Sequence, residues 1–462
     1  MNDPKTYQSP FSWRYGSVEM RRVWSEHNKR LAWRKIWIAL AEVQCGYGFV
    51  TEEQVNDLKA HMTEIDLVRA LEIEEEIQHD LMAEIRVFSE QAKLGGGIIH
   101  FGATSMDIED NADALRLQEA ADLLIVSLRK LLSTLAGIMT KYADTPLIGF
   151  THLQPAEPST LGYRFAQYAQ DLLGDLLHLK KVRQEIKGKG FKGAVGTSAS
   201  YSELLGLDEL DQFEKKLSQK LELEFFEVST QTYPRKQDYE VLSVAASLGQ
   251  SLYKMAFDLR LLQSPVIGEI SEPFGSKQVG SSAMPFKRNP IQLEKIDSLG
   301  RYLAQLPRIA WDNAAHSLLE RTLDDSANRR IILPEGFLAA DEMLKTANKV
   351  LSGLQVDEKN MQRNLDIYGP FAATEKILMA AVKAGADRQK VHEVLRVHAL
   401  HAWAQIRISE PNPLQDDLAH DPYILEFISA DQIKKLMDFN SHTGTAPRKT
   451  RHLAEKIYQE VK

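Results

Sequence analysis

The densest group of potentially reactive side chains lies in residues 280–290, which read GSSAMPFKRNP. Glycine and proline interrupt regular structure, so this segment is predicted to be a loop, with a new helix beginning near Pro290. A loop that gathers two hydroxyls, a cation and an amide could bind an anionic substrate and transfer a proton. These side chains are Ser281, Ser282, Lys287 and Asn289. The alternative is a solvated surface loop, the usual interpretation of a loop of this length.

A histidine in residues 151–156, which read THLQPA, could supply acid–base chemistry. This residue is His152, and histidine as a residue type titrates near neutrality, which suits a general acid that must regain its proton in each cycle. Thr151 and Pro155 predict a turn around it, just before a helix that starts near Ser159. Such a turn would project the histidine into a cleft.

Residues 321–330, which read RTLDDSANRR, concentrate arginine. A guanidinium group suits a phosphate because two of its N–H groups can meet two phosphate oxygens at once. If this stretch is helical, Ser326 and Arg330 share one face. The alternative is a charged helix start capped by its own two aspartates.

Composition restricts the classes of protein and the kinds of site. The chain has 462 residues, enough for two to four domains, and Cys45 is its only cysteine, which excludes an internal disulfide and a cysteine-based zinc site. We expect a protein of the reducing cytoplasm, with no membrane-spanning segment. The net charge of −8 argues against a nucleic-acid surface. An anionic ligand would therefore need the local cations of residues 287–288 and 321–330.

Hydrophobic periodicity predicts long helices through the middle of the chain. Apolar residues recur at steps of three, four or seven from Leu117 to Ile138, and at alternating steps of four and three from Val241 to Leu262. The second pattern is typical of helices packed nearly parallel in a bundle. Similar patterns cover residues 161–186, 291–319 and 331–354, which brings the predicted long helices to five.

The order of residues in the 280–290 loop resembles the signature of the fumarase/aspartase superfamily of lyases, GSSxMPxKxNP, and matches every fixed position. The segment around His152 resembles the histidine segment of the same superfamily. Residues 321–330 resemble one branch in particular, the adenylosuccinate lyases. The resemblance runs from Arg14 to beyond Gly385 and implies a β-elimination that cleaves a C–N bond and releases fumarate, without a metal or another cofactor.

The resemblance implies roles for four catalytic residues. Ser281 matches the base that removes a proton next to a carboxylate, and His152 matches the acid that protonates the departing nitrogen. Glu294 matches a carboxylate that orients this histidine, and His79 matches a second histidine that supports proton transfer. Without the surrounding motifs these would be a hydroxyl bonded to its own backbone and ordinary residues on helix faces.

The resemblance also implies a set of residues that bind the substrate. Thr104 and Ser105 match a turn that holds the succinyl group, although they could equally be the cap of a helix that begins near Asp107. The nucleotide phosphate would be bound by Arg14, Tyr15, Arg321, Ser326 and Arg330. The remaining contacts would come from Gln78, Asp80, Gln231, Ser282, Lys287 and Asn289.

The predicted fold is all-α, with a central bundle of five long helices between two smaller helical domains. The expected divisions are residues 1–106, 107–355 and 356–462. The family forms homotetramers in which several subunits share each active site, and the alternative is a monomer whose helical seams close internally. The expected substrates are adenylosuccinate and succinyl-aminoimidazole-carboxamide ribotide of purine biosynthesis. The alternatives are another fumarate-releasing lyase, such as argininosuccinate lyase, and a catalytically silent structural relative.

Overall fold

The computed structural model describes residues 5–462, which fold mainly into α-helices. The chain forms two compact units whose segments alternate along the sequence. The first unit consists of Met1–Leu128, Asp175–Gln250 and Ser298–Lys345, and the second consists of Arg129–Gly174, Ser251–Asp297 and Thr346–Lys462. Because the units interleave, they do not test the predicted division into three consecutive domains, which stays a prediction.

Between residues 5 and 100 the chain forms five α-helices, besides two short 3-10 helices at Pro10–Ser12 and Gly96–Ile98. The α-helices are α1 (Val18–Val23), α2 (Glu26–Cys45), α3 (Glu52–Ala60), α4 (Leu67–Ile77) and α5 (Asp80–Gln91). Each begins after a residue whose side chain accepts a backbone N–H of the first turn, the usual way to satisfy the free donors at a helix start. These capping residues are Ser17, Ser25, Thr51, Asp66 and His79.

The long helices follow, with short elements between them. The chain continues through α6 (Ser105–Lys141), β1 (Pro146–Thr151), β2 (Gln154–Thr160), α7 (Leu161–Glu185), α8 (Ala199–Leu205), α9 (Leu210–Leu221), α10 (Lys236–Leu262), β3 (Ile270–Ser271), α11 (Ile291–Leu303), α12 (Leu306–Ala315) and α13 (Ser326–Ser352). It ends with β4 (Gln355–Val356), α14 (Glu358–Lys383), α15 (Arg388–Arg407), α16 (Leu414–Ala419), α17 (Pro422–Leu425), α18 (Ala430–Leu436) and α19 (Ala446–Glu460). The prediction of an all-α fold is confirmed, with two small antiparallel β pairs added.

The seam predicted on α10 is buried along its whole length. The apolar residues at its alternating three- and four-residue steps are all at most 6% exposed, namely Val241, Ala245, Leu248, Leu252, Met255, Leu259 and Leu262. On α6, Leu117, Leu124 and Leu128 are fully buried as well. Helices α6 and α10 each run through both units, so their buried apolar residues contribute to the core of both.

Two predicted elements differ from the structure. The pattern over residues 291–319 is two helices, α11 and α12, and the second contains a proline in its first turn, where the missing N–H costs nothing. The segment around His152 is the tip of the β1–β2 hairpin, which contacts α14. Two prolines in β2 and a register shift in β1 hide the strand pattern in the sequence.

Helix α6 meets the length and hydropathy requirements of a membrane-spanning helix, contrary to the expectation from the sequence. Its first turns nevertheless carry Asp107, Asp110 and Asn111, all of them fully buried and hydrogen-bonded to other segments. Buried polar side chains with protein partners are what the core helix of a globular domain contains. Helix α6 is therefore a core helix of the fold.

Candidate active site

Nine of the predicted site residues line one cleft in the first unit, with a volume of about 450 Å³. The cleft lies where the starts of α5, α6 and α13 meet the loop before α10. The predicted residues that line it are Gln78, His79, Asp80, Thr104, Ser105, Gln231, Arg321, Ser326 and Arg330. Residues as distant in the sequence as Asp80 and Arg330, which are 250 positions apart, therefore share one cavity.

A sharp turn between α4 and α5 presents His79 to the cleft. Gln78 ends α4 in the left-handed conformation, with φ of 54°, and His79 returns to an extended conformation before α5 starts at Asp80. The Met82 N–H donates to His79 Nδ1 at 3.4 Å, so we assign the proton of the neutral ring to Nε2. That nitrogen lies 3.5 Å from Ser105 Oγ, which links the histidine to the turn predicted to hold the succinyl group.

The Thr104–Ser105 turn is fixed from below by a buried carboxylate that the sequence did not reveal. Asp107 Oδ2 accepts the Thr104 N–H at 3.0 Å, and Oδ1 forms an ion pair with Lys189 and accepts the Gly193 N–H at 3.1 Å. Asp107 and Lys189 are both fully buried. Since each charge has its partner, the pair can hold the turn without an uncompensated ion in the core. Helix α6 starts at Ser105, so the turn does lie at a helix start, and its proposed contact with the succinyl group stays a prediction.

The start of α13 supplies the cations of the cleft. Ser326 is its first residue, and Arg330 lies one turn later on the same face, as predicted. The Arg330 guanidinium donates to Asp80 Oδ2 at 2.9 Å. Burial alone would raise the pKa of Asp80, but Arg330 and Lys29 lower it below its usual value, so the carboxyl stays ionised beside the arginine. The Gln231 N–H donates to the Glu320 carbonyl at 3.1 Å, which holds the loop before α10 against the segment of Arg321.

A buried charge network lies beneath these residues and joins the elements that carry them. The Arg235 guanidinium donates to both oxygens of Asp110 on α6, at 3.0 and 3.1 Å, and to Asp325 at 2.7 Å. Asp325 also accepts from Arg321, at 3.1 Å. Each ion therefore meets at least one opposite charge, and the network ties α6 to the start of α13.

The second half of the network centres on the arginine that precedes Arg330. Arg329 donates to Asp238 at 2.7 Å and to the Tyr233 hydroxyl at 2.7 Å, and that hydroxyl donates to Asp238 at 2.6 Å. Burial raises the pKa of Tyr233 well above its usual value, so the phenol keeps its proton. The two adjacent arginines thus differ, because Arg329 is 7% exposed whereas the side chain of Arg330 is 57% exposed.

The 280–290 loop belongs to the second unit and precedes α11, as predicted. The backbone N–H groups of Ala283 and Met284 donate to Ser281 Oγ, at 3.3 and 3.1 Å. The Asn289 amide donates to the Gly280 carbonyl at 2.9 Å and closes the loop. A Cβ atom at Gly280 would lie 1.9 Å from the Lys287 carbonyl oxygen, so only glycine fits this approach. Ser282 and Lys287 are exposed.

His152 occupies the tip of the hairpin in the second unit, exposed and with φ of 53°. Leu153 has φ of 61°, so both residues of this two-residue turn are left-handed, as a type I′ hairpin turn requires. Glu294, in the first turn of α11, lies 3.4 Å from Arg260. Within residues 5–462 no hydrogen bond joins Glu294 to His152, so the predicted orientation of the histidine by this carboxylate stays a prediction.

Arg14 and Tyr15 lie outside the cleft of the first unit. The backbone N–H groups of Arg14 and Tyr15 both donate to the Pro10 carbonyl. The Arg14 side chain is exposed beside the Trp13 ring. The N–H groups of the next two residues donate to two carboxylates of α13. The segment is therefore ordered against α13, but the single chain does not bring Arg14 to the arginines at the start of that helix.

Two family models match the chain, and together they cover most of it. A model described as lyase matches residues 22–302, and a model described as adenylosuccinate lyase C-terminus matches residues 370–453. The chain is 38% identical to an adenylosuccinate lyase of Schizosaccharomyces pombe, over 99% of this chain and 95% of the relative. It is 32% identical to an adenylosuccinate lyase of Archaeoglobus fulgidus, over 98% and 99% of the two chains.

Solved structures with the same fold include a fumarate lyase from Mesorhizobium, with a TM-score of 0.84, covering 97% of this chain and 99% of that one at 24% identity. Another is a 3-carboxy-cis,cis-muconate lactonizing enzyme from Pseudomonas putida, with a TM-score of 0.87, 24% identity and coverage of 98% and 99%. At this identity the likeness establishes the fold alone. The full-length similarity to the curated relatives and the match of both family models go further: the chain belongs to the adenylosuccinate lyase family of the fumarase/aspartase superfamily.

Proposed function

We propose that this protein cleaves adenylosuccinate to AMP and fumarate, and the corresponding succinyl-carboxamide ribotide to its amide and fumarate. One observation carries the proposal: a turn suited to a carboxylate and a helix start with arginines suited to a phosphate open into the same cleft. Thr104 and Ser105 would hold the succinyl end, and Arg321, Ser326 and Arg330 the phosphate. A lyase whose substrate carries no phosphate has no use for the second group.

The elimination needs a base, an acid and stabilisation of the carbanion that forms between them. In this proposal Ser281 is the base. A serine hydroxyl is a weak base in water, but the N–H groups of Ala283 and Met284 already point at its oxygen and would stabilise a negative charge there. Lys287, whose ammonium group is exposed in the same loop, adds a positive charge for the developing dianion.

His152 is proposed as the acid that protonates the departing nitrogen. Its place at the tip of the β1–β2 hairpin leaves the ring exposed, so it can enter a site formed with other chain segments. His79 would assist through Nε2, which faces Ser105.

We propose a homotetramer with active sites shared between subunits, in the cytoplasm. On α6 the apolar side chain of Val126 is 63% exposed, which leaves it available for contact with another copy. The first unit also exposes large apolar side chains around α12, including Ile309, Trp311 and Leu319. The position of Arg14 outside the cleft supports sharing as well, because an arginine meant for this phosphate must then come from another subunit.

The substrate assignment predicts the outcome of a direct assay. Purified protein should release fumarate from adenylosuccinate and from the succinyl-carboxamide ribotide, measured by the change in ultraviolet absorbance. Argininosuccinate should give no release above background, because its succinyl group has no phosphate partner. Robust turnover of argininosuccinate with none of adenylosuccinate would contradict the proposal.

The two proton-transfer roles predict a separation of catalysis from binding. Ser281→Ala and His152→Ala should each lower kcat by about two to four orders of magnitude, the usual worth of general acid–base catalysis, while substrate still binds. Steady-state kinetics and calorimetry on the same preparations measure both quantities.

If sites are shared, mixing the two inactive variants should restore activity through hybrid sites. A fully active Ser281→Ala variant would rule out this base, and no recovery after verified subunit exchange would rule out sharing between these two residues.

The adjacent arginines of α13 should behave oppositely. Arg329→Met leaves Asp238 buried without its cation and should lower the free energy of unfolding by about 3–5 kcal/mol. Arg330→Ala removes an arginine that is 57% exposed from its pair with Asp80, which is 13% exposed but also lies in the field of Lys29, so its effect on stability should stay at about 1–2 kcal/mol. Loss of one charge-assisted bond to phosphate should nevertheless weaken AMP binding about tenfold to a hundredfold. Both variants should be measured by thermal unfolding and by AMP calorimetry, so that each variant serves as the control for the other. Unchanged AMP affinity in Arg330→Ala would remove the main support for a nucleotide substrate.

A further inference from the structure

The side chain of Gln263 bonds to the chain on both sides of the loop that carries Ser281. Gln263 directly follows α10, in the second unit, and is half-buried. Its Oε1 atom accepts the backbone N–H of Glu272 at 3.0 Å, where the chain leaves β3 for the loop. Its Nε2 atom donates to the Arg288 carbonyl at 3.1 Å, where the chain approaches α11. One amide group therefore joins the outgoing and returning ends of the loop.

The partners of Gln263 determine which way its amide points. A backbone N–H can only donate and a carbonyl can only accept, so an exchange of the amide oxygen and nitrogen would break both bonds. The backbone of Gln263 is itself held, because its N–H donates to the Leu259 carbonyl at 3.0 Å. Leu259 and Leu262 are at most 6% exposed. The side chain therefore extends from a fixed point at the buried end of α10.

Glu272 supplies a second link between the two ends of the loop. It is 3% exposed, and its carboxyl group accepts the N–H groups of Gln292 and Leu293 at 3.1 and 3.2 Å. These N–H groups belong to the first turn of α11 and have no acceptor within the helix, so Glu272 caps α11. Gln263 bonds to the backbone of the same residue. The residues on either side of the loop therefore form one hydrogen-bonded unit.

The position of Ser281 depends on this unit through a short series of contacts. The Asn289 amide donates to the carbonyl of Gly280, the residue before Ser281. Asn289 in turn follows Arg288, whose carbonyl accepts from Gln263. A displacement of Arg288 would therefore displace the Ser281 hydroxyl as well.

We propose that Gln263 is a positioning residue for Ser281, and that its two hydrogen bonds hold the loop where the Ser281 hydroxyl can reach the substrate proton. The inference rests on the proposed role of Ser281 as the base and deepens it. Gln263 touches no reacting atom and acts through the chain at Arg288. A base must lie within hydrogen-bond reach of the proton that it removes, and a misplacement of about 1 Å can lower the rate about a hundredfold.

The first test separates catalysis from binding in variants of Gln263. Gln263→Met has a similar volume but cannot form either bond, so kcat for adenylosuccinate should fall about tenfold to a hundredfold. Gln263→Glu can still accept the Glu272 N–H but cannot donate to Arg288, so its kcat should fall as well. AMP affinity should stay within about twofold of wild type in both, because the residues assigned to the phosphate belong to the first unit. Steady-state kinetics and AMP calorimetry measure the two quantities.

The matched control is Gln362→Met. Gln362 is an exposed glutamine of α14 whose amide donates to Asp366 at 2.7 Å, so the same substitution there also removes one hydrogen bond. This variant should keep the kcat of wild type. A Gln263→Met variant that also keeps it would overturn the role of Gln263.

Combination with Ser281→Ala distinguishes positioning from a general loss of structure. If Gln263 acts through Ser281, its substitution has little left to disturb once the hydroxyl is absent. Gln263→Met should then lower the residual kcat of Ser281→Ala by less than about threefold. An equal loss in the wild-type and Ser281→Ala backgrounds would overturn the positioning role.

Hydrogen exchange on the protein without substrate tests the hydrogen bonds apart from the reaction. The Glu272 amide should exchange about tenfold faster in Gln263→Met than in wild type, and at about the wild-type rate in Gln263→Glu, which keeps the acceptor. Unchanged exchange of this amide in Gln263→Met would overturn the inference. Full activity of Ser281→Ala, or no release of fumarate from adenylosuccinate by wild type, would instead overturn the proposed function on which the inference rests.

Discussion

The cleft depends on a buried network of ions in which every charge has a partner. Asp110, Arg235, Asp238 and Arg329 are all at most 7% exposed, and Tyr233 joins two of them through its hydroxyl. At low dielectric such a set is stable only when complete, since removal of one member leaves another charge buried alone. The network joins α6, the loop before α10 and the start of α13, so it fixes the relative positions of the residues assigned to the two ends of the substrate.

This arrangement separates the groups that build the cleft from those that bind in it. Arg329 is committed to Asp238 and Tyr233, while Arg330 extends into the cleft and pairs with Asp80. The pair with Asp80 keeps the guanidinium in place, and because the Arg330 side chain is 57% exposed, a phosphate can reach it and replace the carboxylate. The buried ion pair of Asp107 and Lys189 holds the Thr104–Ser105 turn in place in the same way. In each case a buried ion pair orients a residue that stays accessible.

Sequence alone predicts the parts of this molecule that have local signals. The alternation of three- and four-residue steps identifies α10, and a contiguous motif identifies the 280–290 loop. The hairpin that carries His152 escapes notice because prolines and a register shift break its alternation. The partners of the buried charges cannot be predicted from the sequence for a different reason. Asp107 and Lys189 are 82 positions apart, and Asp80 and Arg330 are 250 apart, so no spacing rule connects them.

The most direct measurement of the central claim is a crystal structure of the protein with AMP bound. If the network builds the cleft and Arg330 serves the ligand, the phosphate will lie between Ser326 and Arg330, with Arg330 turned from Asp80 to the phosphate. Arg329 will keep its bonds to Asp238 and Tyr233. A phosphate held by Arg329, or a network that opens to admit the ligand, would contradict the account.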